Sequence, residues 1–189
     1  LELFLSLTLP GPLDLPLLVF EIFSLALILR ICVSLYRVSR YAFDDRSLLL
    51  FAGFLLLSLS LLLSVVSIFI DDLFTFSSLV LFSIYASLAG YISILSARFL
   101  GEPVLLAIVP LAQYYLYGEL ASMILSTTIA LGSRSRLVST GFLLLSLSHL
   151  LRLLSMSIAQ PLLILLLPAA ELLRVAGFLA LSIGIGGAK

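Results

Sequence analysis

Six ionisable side chains stand inside stretches that otherwise read as lipid-soluble: Glu21, Arg30, His149, Arg152, Glu171 and Arg174. His149 and Arg152 lie three residues apart within TGFLLLSLSHLLRLLSMSI, and Glu171 and Arg174 repeat that spacing in the next apolar run. On a helix, positions i and i+3 project from nearly the same face. Counting inward from the Ala159–Pro161 turn puts His149 and Glu171 at similar depth, with a carboxylate opposite an imidazole and between two guanidiniums. Such a set could relay protons, because an imidazole exchanges its proton in the neutral range. It could bind an ion, a ligand or a quinone-like headgroup. It could also act only as a polar clamp between helices or subunits, and that is the reading the sequence favours.

Glu21 and Arg30 are assigned as partner or lipid contacts. Glu21, Arg30, Arg152, Glu171 and Arg174 together hold one guanidinium more than they hold carboxylates. The excess points to a partner subunit, an anionic headgroup or an arginine that snorkels to the interface. A charge isolated in a bilayer costs about 2.5 to more than 10 kcal/mol, so these groups should face a bundle interior, a cavity or another chain.

The elements that carry them are membrane helices. The chain has 189 residues, is 62% apolar, and holds only 10 basic and 10 acidic residues. Its mean hydropathy is +1.31. Several runs reach the ~20 apolar residues that cross a bilayer, and they continue to the end of the chain, which a signal peptide would not explain. The fold class is therefore all-α: a polytopic membrane bundle forming a single transmembrane domain, a multi-pass protein of the cell membrane. Residues 1–15, broken by Pro10, Gly11 and Pro12, form an interfacial lead-in.

Seven spans are expected, near 16–36, 48–70, 73–97, 103–117, 119–133, 138–158 and 162–185, with six as the alternative. The two counts differ at 103–132, about 45 Å if wholly helical, against a hydrocarbon core of about 30 Å. A turn at Gly118–Glu119, beside the interfacial cluster Tyr114, Tyr115 and Tyr117, divides it. The seven-span arrangement places Arg37, Arg40, Arg46, Arg98, Arg134, Arg136 and Lys189 on one side and Glu2, Asp14, Asp71, Asp72 and Glu119 on the other. That is the positive-inside pattern, with an outside N-terminus and a cytoplasmic C-terminus. GFLLLSLS occurs at 53–60 and again at 141–148. With seven spans the two copies run in the same direction, as a parallel internal repeat requires; with six they oppose.

Composition also excludes functions. A zero net charge without a basic block argues against nucleic acid. One cysteine, Cys32, and one histidine cannot build the usual zinc or iron–sulfur sites. Haem would need Met123 or Met156 opposite His149, and Met156 shares its helix, so no cofactor is expected. The Asp44/Asp45 pair has no accompanying metal-ligand motif, and Gly184, Gly186 and Gly187 lack the strand and helix of a phosphate-binding turn. Ser58, Ser60, Ser64, Ser67, Ser146, Ser148 and Ser155 are expected to bond to their own helices and to permit close packing. No nucleophile–base pair suggests an enzyme. The sequence favours a non-enzymatic accessory, anchor or receiver subunit with a hetero- or homo-oligomeric partner in the bilayer. The alternative is a small secondary transporter or ion- or proton-coupled permease using the His149/Glu171 region, with Pro110 and Pro168 interrupting its helices.

Overall fold

The computed structural model describes residues 14–42, 45–98, 115–157 and 160–186. These form six helices: α1 (Asp14–Ala42), α2 (Asp45–Ser67), α3 (Leu73–Arg98), α4 (Tyr115–Gly132), α5 (Arg136–Ser157) and α6 (Gln160–Gly186). Five of them are long and apolar enough to cross a membrane. The outer faces are paved with exposed Leu, Ile, Val and Phe, while Glu21, Glu119, Glu171 and Arg174 are buried. A surface of that kind needs lipid rather than water as its solvent. The protein is a multi-pass membrane bundle.

Six described helices match the six-helix alternative better than seven spans. The span expected at 103–117 lies outside the described residues except for its last three positions, as does Pro110. The turn expected at Gly118–Glu119 does not occur, because α4 runs through both residues. Gly118 serves contact instead: a Cβ there would stand 2.4 Å from Ile84 on α3. α3 begins at a cap, where Asp72 Oδ2 accepts the Thr75 amide at 2.8 Å and the Thr75 hydroxyl at 2.6 Å. These two bonds, the hydroxyl's foremost, hold the Asp72 carboxyl below the ordinary carboxylate range.

The helices form a closed ring in which each packs on its neighbours in sequence and α6 returns to α1. One cavity is lined by the start of α1, α3, α4 and α6 and by the end of α2 and α5. A second is lined by the opposite ends of the same six helices. Hence α1, α3, α4 and α6 share one direction, and α2 and α5 share the other. The chain leaves α3 at one end of the bundle and enters α4 at the opposite end. Arg37, Arg40, Arg46, Arg134 and Arg136 cluster where α1 and α4 finish, which we call the basic end, and Asp71 and Asp72 mark the acidic end.

Packing repeats between α2/α3 and α5/α6. A Cβ on Gly53 would lie 2.8 Å from the Gly90 carbonyl oxygen, and one on Gly141 would lie 2.9 Å from that of Gly177. Leu57 covers Gly90 as Leu145 covers Gly177, and Ile94 covers Gly53 as Leu181 covers Gly141. The correspondence extends the GFLLLSLS identity to LAGYISI (88–94) against VAGFLAL (175–181). Phe54 and Phe142, equivalent positions on α2 and α5, meet across the bundle axis with ring centroids 6.3 Å apart. Small residues let two backbones approach where apolar burial between helices supplies little drive, since lipid is as apolar as the side chains.

Gly90→Ala and Gly177→Ala should each cost about 1–3 kcal/mol through overpacking against a carbonyl, and by similar amounts. Gly186→Ala, where a Cβ meets nothing within 4 Å, should change stability by less than about 0.5 kcal/mol. Unfolding of the three variants in detergent measures the comparison.

Candidate functional site

Each ionic side chain is placed by its own helix, and the ring closes them into one row. α1 contributes Glu21, α4 contributes Glu119, α5 contributes His149 and Arg152, and α6 contributes Glu171 and Arg174. The i, i+3 spacing on α5 and α6 aims both pairs at the bundle axis. Arg174 bridges Glu171 and Glu21, with Nη2 3.2 Å from Glu21 Oε1. Arg152 bridges Glu171 and Glu119, its Nη1 lying 3.4 Å from Glu119 Oε1. Glu119 Oε2 takes the His149 Nδ1 at 2.5 Å, and His149 Nε2 meets the Tyr91 hydroxyl at 3.0 Å.

The row therefore reads Glu21, Arg174, Glu171, Arg152, Glu119, His149, Tyr91. A carboxylate only accepts, so His149 carries a proton on Nδ1. In the neutral imidazole Nε2 accepts from the Tyr91 O–H; in the imidazolium Nε2–H donates to the phenol oxygen. The Tyr91 ring also stands edge-on to the imidazole, with centroids 5.7 Å apart.

Sequence spacing placed His149, Arg152, Glu171 and Arg174 near one another, and all four belong to the row. Glu21, assigned from sequence to partner or lipid contact, is buried inside the bundle and accepts the Ser64 hydroxyl at 2.7 Å on Oε1. Arg30 is exposed on the outer face of α1, and none of the ion pairs among the described residues includes it. Glu119, read from sequence as a loop residue, is only 5% exposed. The signal that could have found it is a second Glu-x-x-Ser: Glu119–Ser122 stands in α4 as Glu21–Ser24 stands in α1. Tyr91 was also missed, since a tyrosine in an apolar run carries no charge to mark it.

The row borders a cavity of about 280 Å³ near the acidic end, which Ser60, Ser64, Ser83 and Ser87 also line. Glu171 lies on the wall, with Leu167 beside it, whereas Pro168 is within α6 but not on the cavity lining. Ser60 and Ser83 bond to each other at 3.1 Å across α2 and α3. Thr127 and Ser146 do so across α4 and α5 at 2.6 Å. Ser58, Ser67 and Ser155 bond to their own helix carbonyls.

The packing repeat locates most of this chemistry in α5 and α6. Leu61 and Ser64 of α2 occupy the positions of His149 and Arg152 of α5, and Ile84 and Ser87 of α3 occupy those of Glu171 and Arg174 of α6. All eight residues line the cavity. Of the two hairpins, α5/α6 supplies charge and α2/α3 supplies hydroxyls. The fold and site together define a multi-pass membrane helical bundle with a buried, interconnected Glu/Arg/His network. Comparison with family models, curated proteins and solved structures gives no match.

Glu171→Gln should destabilise the bundle by about 3–5 kcal/mol, because it leaves Arg152 and Arg174 buried beside a neutral amide. Equilibrium unfolding in detergent checks this. Loss below about 1 kcal/mol, the surface-pair range, would mean that the row is solvated.

Proposed function

We propose that the protein is a small proton-coupled permease in which the cavity at the acidic end is the solute site. The observation that carries this reading is a row of charges bordering a cavity that several serines also line. A clamp that only held helices together would need no such space beside it. Intramembrane ionisable residues on a water-accessible wall are the usual components of ion and proton pathways.

The second cavity supports the same reading. It occupies about 720 Å³ near the basic end, with Phe54, Phe142, Ile94 and Ile129 on its walls and Arg46 and Arg134 among its lining residues. Leu57 lines the first cavity and Phe54 lines the second. A layer about one helical turn thick, built on the Phe54–Phe142 pair, thus separates two vestibules. Two halves with equivalent glycine contacts can rock about that layer, exposing the charged row alternately to either end.

The proposed topology follows from helix direction and charge. α1–α3 and α4–α6 repeat the same order of directions, so the two three-helix units are related as parallel repeats. The arginine cluster at the basic end favours the cytoplasm for that side.

Protein reconstituted in liposomes holding a pH-sensitive dye should change internal pH when given an inward gradient of one member of a panel of small amines, amino acids and polyols. Glu171→Asp, which keeps the charge but shortens the reach to both arginines, should slow that response about tenfold or more. A folded wild-type protein giving no solute-driven pH change with any member of the panel would contradict the proposal.

A further inference from the structure

The charges in the row alternate, and both ends are negative or neutral. Along it stand three carboxylates, two guanidiniums and one imidazole, so with His149 neutral the site carries one uncompensated negative charge. A buried charge without compensation is costly in a membrane interior. One added positive charge restores balance, and the row offers two places for it. One is His149, against Glu119. The other is Glu21, a residue of the cavity lining whose Oε2 is buried and has no hydrogen-bond partner, so that a turn of the carboxylate presents it to the cavity. Glu21 itself is only 6% exposed.

Resting on the permease reading, we infer that the cavity takes a small cation bearing N–H donors, ammonium or a protonated primary amine, on Glu21 Oε2 and exchanges it for a proton held at His149. Donors suit the surroundings better than a bare alkali ion does. The free carboxylate oxygen accepts one N–H, and the Ser60, Ser64, Ser83 and Ser87 oxygens on the wall can accept others. The volume admits one small solute.

Cation and proton meet only through the charges between them. A cation on Glu21 lets Arg174 turn fully to Glu171. Arg152, shared between Glu171 and Glu119, then turns to Glu119, and Glu119 no longer needs the imidazolium. His149 releases its Nε2 proton to cavity water, and the Tyr91 O–H donates back to that nitrogen. No covalent bond to carbon changes, and one positive charge enters for each that leaves. The groups facing this exchange are Glu21 from α1, Tyr91 from α3, Glu119 from α4, Arg152 from α5, and Glu171 and Arg174 from α6; α2 presents only serines, Ser60, Ser64 and Ser67, as polar neighbours.

The test uses the whole purified chain in detergent, in weakly buffered solution with a pH-indicator dye. Methylammonium chloride should release protons, approaching one per chain at saturation. Tetramethylammonium chloride, which has no N–H donors, and potassium chloride should release none. Glu21→Gln should raise the half-saturating methylammonium concentration by about tenfold to a hundredfold, the loss of a charge-assisted hydrogen bond. His149→Gln should still bind methylammonium but release no proton. Equal release by potassium or tetramethylammonium, or binding by the wild type without release, would overturn the inference, and these controls hold even if a variant fails to fold. Release in detergent with no transport in liposomes would sink the permease reading and leave the site standing. Amine-independent solute transport without release would do the reverse.

Discussion

Charges buried in a bilayer must be compensated where they stand, and the rest of this structure depends on how that is done here. Glu171 sits between two guanidiniums, and each guanidinium reaches on to a further carboxylate. The charged part of the row crosses four of the six described helices, from α1 through α6 and α5 to α4, and Tyr91 carries it on to α3. Lipid outside the bundle gives helices little reason to associate, so polar links and close glycine contacts must do so. The ionic row ties α1 to α6 and α4 to α5. Within each hairpin, α2/α3 and α5/α6, the Gly53–Gly90 and Gly141–Gly177 approaches draw the two helices together.

Near-equivalent halves with unequal chemistry are the second organising feature. The backbone packing of α2/α3 recurs in α5/α6, yet Leu61, Ser64, Ile84 and Ser87 stand where His149, Arg152, Glu171 and Arg174 carry the charge. Only Glu21 and Glu119 preserve an acid on both sides. A symmetric site would double the charges to be compensated in one cavity. Concentrating them in one half leaves the other free to present hydroxyls to whatever the cavity holds, while the shared glycine geometry keeps the halves mechanically alike.

Much of this was legible in the sequence. Hydropathy and run length gave membrane helices, and the i, i+3 pairs on neighbouring helices gave the core of the ionic row. What escaped depended on packing between distant segments. Gly118 and Glu119 looked like a turn because glycine beside a charge usually marks one. The helix continues through them because Gly118 packs on Ile84 and Glu119 finds His149 and Arg152. With Glu119 counted outside and Arg30 inside, the site appeared one guanidinium in excess. The structure inverts that balance by burying Glu119 and leaving Arg30 on the outer face of α1. The second half of the repeat, LAGYISI against VAGFLAL, was hidden by substitutions at nearly every position except Ala-Gly.

Sided access to the cavity tests the central claim that this row borders water from one end of the bundle. On a Cys32→Ser background, Ser87→Cys on the cavity wall and Ser135→Cys at the basic end would be exposed, in oriented membranes, to a charged thiol reagent that cannot cross lipid. The account predicts that the cysteine at 87 reacts fastest from the face that carries Asp71, and the cysteine at 135 only from the opposite face. Failure of position 87 to react from either face, or faster reaction of position 87 from the face where position 135 reacts, would contradict it.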